Sequence, residues 1–166
     1  MVGSRKSEVR SKIFPRTSDF SLRSSDLKSN IMQKIITLST DKKNGLYDIT
    51  NDVVSLISLS KVKTGIASIY ARGATAAIMI QENWDQSVQN DVVTLLKKLI
   101  PAGIWEHDHQ DNNGDAHLKA GMVGASETVP IIDYKPGLST WQNIFFCEFD
   151  GPRERREIVI TIIADN

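Results

Sequence analysis

Hydrophobic and polar residues alternate along most of this chain in short, β-branched runs. One longer run repeats with the period of a helix. Residues 31–40 (Ile-Met-Gln-Lys-Ile-Ile-Thr-Leu-Ser-Thr) read as a strand, and Asp41-Lys42-Lys43-Asn44-Gly45 reads as a turn. Leu46 to Ile49 is a second short strand. Thr50 or Asn51 can then N-cap a helix that turns Val53, Val54, Leu56 and Ile57 inward. Val62–Tyr70 and Ala74–Gln81 are the next strands, separated at Arg72-Gly73. The clearest helix spans Asp85 to Ile100, with Val88, Val92, Leu95, Leu96 and Leu99 on one face. Asp85 can cap its start, Lys97 and Lys98 suit its C-terminal dipole, and Pro101 and Gly103 end it.

A short helix is predicted from Ala116 to Val123, with His117 in its first turn. Glu127–Asp133 reads as a strand ending in a Lys135-Pro136-Gly137 turn. Asn143–Phe149 and Arg155–Ile163 read as an antiparallel pair around Asp150-Gly151-Pro152. In the last strand Ile158, Ile160 and Ile162 alternate with Val159, Thr161 and Ile163, so both faces are apolar. Such a strand is covered on both sides or lies at a subunit contact. The order of elements predicts an α+β domain with mixed or antiparallel sheets and about three helices, without internal repeats.

Composition narrows the class. The chain has 166 residues, 40% hydrophobic and 24% charged, with a formal net charge of zero. Those values fit one soluble domain and give no electrostatic case for a nucleic-acid or membrane partner. The charge is uneven, however. Residues 1–30 hold seven Lys and Arg against three Asp and Glu, so the remainder carries a deficit of four. That serine-rich opening is read as a disordered or poorly packed extension, with an organelle leader or an over-extended start (Met32 being the first residue) as alternatives. The domain is then 31–166. The single cysteine, Cys147, lies in an apolar run and is expected to be a buried thiol, compatible with a reducing, cytoplasmic setting.

All three histidines fall between Trp105 and Lys119. His107 and His109 would share one side of an extended segment, and Asp111, Asp115 and His117 could complete a site for zinc or another divalent metal. A solvated acidic loop with capping aspartates would use the same residues. Lys119 adds a cation suited to a phosphate, and the backbone N–H groups beside His117 favour an anion. Glu82 and Asn83 sit where a strand meets the best helix; Glu82 could act as a base or ligand, while Asn83 or Asp85 could simply cap. Trp141 could stack on a heteroaromatic ring with Gln142 on its polar edge, or be core. Arg153 and Arg155 share a strand face and could grip a phosphate, or belong to a solvated hairpin. The chain has no GxxxxGK[ST] loop, GxSxG elbow or dinucleotide fingerprint.

Several stretches together resemble the YjbQ family, often labelled secondary thiamine-phosphate synthase. They are Thr75-Ala76-Ala77-Ile78-Met79-Ile80-Gln81-Glu82-Asn83, Glu106-His107-Asp108, Ala116-His117-Leu118-Lys119-Ala120, Gly124-Ala125-Ser126, Val129-Pro130, Ser139-Thr140-Trp141-Gln142 and Cys147-Glu148-Phe149-Asp150-Gly151-Pro152-Arg153. The resemblance runs from about Met32 to Ala164. It implies a homotrimer of α+β subunits with sites near subunit boundaries and three characteristic histidines. His107 and His117 match two of these. The third belongs to a His-Thr-Thr-Ala-Ala-like segment, and here Gly73 stands in its place.

The implied reaction joins a pyrimidine methyl pyrophosphate to a thiazole phosphate and releases pyrophosphate. Such chemistry needs positive charge at the leaving group, from Mg²⁺ or from Lys119 and arginines. Under this reading Glu82, His107, His117 and Lys119 are catalytic. Asn83, Ser126, Thr140, Trp141, Gln142, Arg153 and Arg155 bind the phosphorylated small-molecule substrate, and His107, His117 and Asp111 hold a divalent metal, Mg or Zn. Two other classes stay open: a metal-dependent hydrolase or phosphatase, and a phosphate- or metabolite-binding trimer without catalysis. Gly73 favours the last.

Overall fold

The computed structural model describes residues 30–165. The expectation for residues 1–30 therefore lies, apart from Asn30, outside the described residues.

The strands are β1 (Ile31–Thr40), β2 (Gly45–Asp48), β3 (Thr64–Arg72), β4 (Ala76–Glu82), β5 (Ser126–Ile132), β6 (Lys135–Pro136), β7 (Gln142–Glu148) and β8 (Arg153–Ala164). The helices are α1 (Thr50–Ser60), α2 (Gln86–Leu99) and α3 (Gly114–Val123), with a 3₁₀ turn at Glu106–His109. Among the described residues strands pair only antiparallel, in a five-stranded sheet ordered β1-β8-β3-β5-β6 and a three-stranded sheet ordered β2-β7-β4. The α+β expectation and the three helices hold.

Strand parity decides the layers. Ala67, Ile69 and Ala71 of β3 and Ile158, Ile160 and Ile162 of β8 face Ala76 and Ile78 of β4 and Ile144 and Phe146 of β7. Val53 and Ile57 of α1 join this inter-sheet core. The other parity of the small sheet, with Ala77, Phe145 and Cys147, packs on Leu96 of α2 and Ala116 and Ala120 of α3. The layers are thus large sheet, small sheet and helices, with α1 contributing to the core between the sheets.

Four details depart from the sequence expectations. First, β7 and β8 are not a hairpin: β7 pairs with β2 and β4, and β8 with β1 and β3. Asp150-Gly151-Pro152 instead carries the chain from one sheet to the other. A Cβ on Gly151 would lie 2.2 Å from the carbonyl oxygen of Lys42, so only glycine lets this crossover pass the β1–β2 loop. Second, α2 buries a narrower face than its pattern suggests. Leu96 is buried and Val92 packs beside it, but Leu95 and Leu99 are 55% and 58% exposed. Small Ala116 and Ala120 complete the contact, so no wide apolar face is needed. Third, α1 is not capped by Thr50 or Asn51; the Asp48 carboxylate accepts from the Thr50 backbone N–H (2.9 Å) and hydroxyl (2.5 Å). Fourth, the turn after β5 is at Asp133-Tyr134, both in the left-handed region (φ 49° and 66°), and Lys135-Pro136 is already the returning strand. Two consecutive left-handed residues suit a two-residue hairpin.

Among the described residues, one face of the large sheet is left bare. Cross-strand rows on it read Ile31–Ile163–Ile66–Pro130, Gln33–Thr161–Ser68–Thr128 and Ile35–Val159–Tyr70–Ser126. Ile31, Ile35, Ile66 and Tyr70 are exposed. Among the described residues, the doubly apolar last strand is therefore covered on one side only.

Candidate functional site

The 3₁₀ turn holds His107 against His117. His107 and His109 do not sit on an extended segment; Glu106–His109 coils tightly, so their side chains diverge. Asp108 organises the turn. Its carboxylate accepts from the Trp105 N–H at 2.9 Å and the Gly114 N–H at 2.8 Å, which ties the turn to the start of α3. These backbone hydrogen bonds, Trp105 first, hold the Asp108 carboxyl below its ordinary range. A Cβ at Gly114 would meet the Trp105 side chain at 2.8 Å and Asp108 Oδ1 at 2.9 Å, so glycine is required for this close approach.

The result is an edge-to-face pair, His107 and His117, with ring centroids 4.9 Å apart. His107 Nε2 lies 3.7 Å from Asp111 Oδ2. Among the described residues no three His, Cys, Asp or Glu side chains converge to hold a metal ion. The set His107, His117 and Asp111 does not by itself form a three-ligand site.

His117 also lines a cleft of about 400 Å³ with Tyr70, Gly73, Ala76, Gly124 and Ala125. Ser126 opens β5 opposite Tyr70, beside this cleft. Two separate segments singled out in the sequence, around Gly73 and around His117, thus meet on one surface.

Next to α3 lies a buried ionic network. Lys119 is 1% exposed; its ammonium is 2.5 Å from Asp115 Oδ2 and 3.3 Å from Asn44 Oδ1. Lys119, expected from the sequence to meet a phosphate, lies one turn from Asp115 on the buried face of α3, where the carboxylate compensates its charge. Glu148 is fully buried and joins the two sheets. Its oxygens accept from Arg156 Nε (2.7 Å) and Nη2 (2.5 Å), the Thr40 hydroxyl (2.9 Å) and the Asp150 N–H (2.9 Å). Asp150 in turn accepts from Arg153 Nη2 and Asn113 Nδ2. Arg155 is exposed and pairs with Glu157 on the bare face.

The remaining predicted residues gather at the far end of the small sheet. Asp48 Oδ2 accepts from Asn83 Nδ2 at 2.7 Å and Asn143 Nδ2 at 2.8 Å, and Gln89 donates to Asn83 Oδ1 at 2.6 Å. Glu82 stands half-buried opposite Gln142. Thr140 is exposed in the preceding loop. Trp141 is not core: it is 51% exposed and makes an edge-to-face contact with Trp84, itself 72% exposed, at 4.8 Å. Gln142 turns its side-chain oxygen to the Ser139 N–H.

The two ends are far apart. Ala76 pairs with Glu148 and Glu82 with Gln142, so six residue steps of β4, about 20 Å, separate them. Within one chain the His117 cleft and the Glu82–Trp141 cluster are therefore not one site.

Sequence reading missed Glu148 and Arg156 as a pair, and Asp48, Asn143 and Trp84 as neighbours of Asn83 and Trp141. Parity offered one signal: Glu148 is in phase with Ile144 and Phe146, and Arg156 with Ile158 and Ile160. Charges in phase with a buried face must find each other. The contacts of Asp48 had no such signal, since they join residues 35 and 95 positions apart.

Comparison with known proteins agrees with this architecture. The family model described as UPF0047 protein YjbQ-like matches residues 34–165. A UPF0047 protein of Methanocaldococcus jannaschii is 52% identical over 128 residues, 77% of this chain and 91% of its own length. The UPF0047 protein YugU of Bacillus subtilis is 39% identical over 127 residues, 75% of this chain and 94% of its own length. Among solved structures, a YbjQ-like protein of unknown function from Sulfolobus solfataricus superposes with a TM-score of 0.79 at 35% identity, covering 81% of this chain and 98% of that one. A YjbQ/UPF0047 family protein from Clostridium acetobutylicum gives 0.75 at 37% identity, covering 78% and 99%.

Proposed function

The chain belongs to the YjbQ-like UPF0047 family, and on that premise we propose that it acts on phosphorylated small molecules as a thiamine-phosphate synthase-like transferase. The reaction joins a pyrimidine methyl pyrophosphate to a thiazole phosphate and expels pyrophosphate. The observation that carries the reading is the cleft shared by Gly73 and His117, with the His107 ring set edge-to-face against His117. In this reading His117 and His107 bind and orient the phosphoryl end. Trp141, with Trp84 beside it, offers a stacking surface for the ring, while Gln142 and Asn83 present polar edges to it. Divalent metal, Mg or Zn, stays part of the proposal as a companion of the leaving group.

The separation of about 20 Å between the two ends of β4 gives the assembly a role. We propose a homotrimer in which the bare face of the large sheet is the contact and a complete site draws its two ends from neighbouring copies. The exposed apolar rows built on Ile31, Ile35, Ile66 and Tyr70 support that contact.

The test is formation of thiamine phosphate by the purified protein given both precursors and Mg²⁺, with His117→Ala as control. Product that vanishes in the control supports the reading. Absence of product from folded protein rejects it. A second reading, a phosphate- or metabolite-binding trimer without turnover, draws on one observation: Gly73 contributes no acid or base to the cleft. It predicts binding of either precursor with no product.

A further inference from the structure

We infer that Arg156 is the anion-gripping residue of the Gly73–His117 cleft, and that it takes a phosphoryl oxyanion, either a phosphate ester or a pyrophosphate. The inference deepens the substrate reading above and rests on it for the ligand class.

Arg156 lies on the inner parity of β8, and its side chain is 12% exposed. Its guanidinium is fixed on one side. Nε and Nη2 both bind Glu148, and Nη2 also donates to the Thr75 hydroxyl at 3.0 Å. Each Glu148 oxygen is filled by a further donor, Thr40 for one and the Asp150 N–H for the other. Nothing in that arrangement uses Nη1, and among the described residues no hydrogen-bond acceptor is placed on it. Where does Nη1 point? A Cβ on Gly73 would stand 3.2 Å from Nη1 and 3.8 Å from the Ala76 Cβ, and Gly73 and Ala76 both line the cleft with His117. Arg156 is not itself among the residues lining the cleft; Nη1 lies against Gly73, which is, and no side chain at position 73 stands between them.

The chemistry of the two walls selects the ligand. A guanidinium nitrogen donates on one side, and His117 can hydrogen-bond from another element. A tetrahedral phosphoryl group offers oxygens in several directions and can meet both. The bidentate hold by Glu148 pre-organises the donor, so little side-chain freedom is lost when an anion arrives. The three cations singled out in the sequence are otherwise engaged. Lys119 is buried on Asp115, Arg153 binds Asp150, and Arg155 pairs with Glu157 on the bare face.

Titration of the full-length protein with inorganic pyrophosphate, followed by calorimetry in metal-free buffer, tests the inference. Two variants accompany it. Gly73→Val puts methyl groups against Nη1 and leaves the Arg156–Glu148 pair in place. Arg156→Lys keeps a positive charge for Glu148 and removes Nη1. Wild-type protein is expected to bind saturably, and each variant about tenfold or more weakly, the loss of one charge-assisted hydrogen bond. A wild type without saturable binding, or a folded Gly73→Val variant that binds as well as wild type, overturns the inference. Failure of the synthase reading looks different: pyrophosphate binding that both variants weaken, with no thiamine phosphate formed by any of the proteins, keeps the anion site and removes only the reaction.

Discussion

Strands β7 and β8 look alike as sequence, yet the fold treats them differently. Each is a long apolar run, and each sends alternate residues into the core between the sheets, Ile144 and Phe146 from one and Ile158, Ile160 and Ile162 from the other. On the opposite parity they part. Phe145 and Cys147 of β7 lie beneath α2 and α3 and are fully buried. Val159, Thr161 and Ile163 of β8 face the bare surface of the large sheet and are only half-buried by their neighbours. A strand that is apolar on both faces announces that both faces want cover; it does not say what supplies it. For β7 the cover is the chain's own helices. For β8 the proposed cover is a neighbouring copy.

The largest effects should come from charges and rings that only β7 and its partners can satisfy. Arg156→Ala would leave Glu148 buried without its counter-charge, and a denaturant melt should show a loss of about 3–5 kcal/mol. Phe145→Ala opens a cavity under the helices and should cost about 3–5 kcal/mol in the same measurement. Val159→Ala, on the bare parity of β8, is the matching control. Below the concentration at which copies associate, its cost should stay well under that of Phe145→Ala, and equal costs would break the comparison.

Ile35→Lys asks about assembly directly. It places a charge in the exposed row Ile35–Val159–Tyr70. The single chain should lose no more than about 0.5 kcal/mol, while sedimentation should show the proposed trimer falling apart. A wild type that sediments as a monomer would remove the proposed cover for β8.

The smallest effect is a rate of labelling. Burial pushes the Cys147 thiol up to about 12, so the thiolate is scarce at pH 8 and a thiol reagent should react only as the protein opens. A cysteine introduced by Thr161→Cys on the bare face should react quickly in dilute protein. It should slow as concentration rises if copies associate there.

The local elements were legible because their signals are local. The β-branched run of residues 31–40, the 3.6-residue spacing of Val88, Val92 and Leu96, and the stop at Pro101 all act within a few positions of the chain. The candidate site was legible only in its parts. His107 and His117 were found because three histidines crowd one segment, and their pairing follows from the Asp108 tie that shapes the turn. The roles of Lys119 and Arg156 could not be told apart, since each is a cation near a motif. One is neutralised by Asp115 a turn away, and the other is braced by a carboxylate from another sheet.

The sequence by itself determined the class of domain, the family, nearly every strand and helix, and the cluster of residue types able to meet a phosphate. Those follow from periodicity and side-chain chemistry, which the chain carries everywhere. Tertiary structure alone decided which runs pair. It sent β7 and β8 into different sheets, joined Gly73 to His117, and set Glu82 and Trp141 at the far end of β4. Such choices depend on contacts between residues tens of positions apart, where packing and charge compensation act and no local pattern reaches.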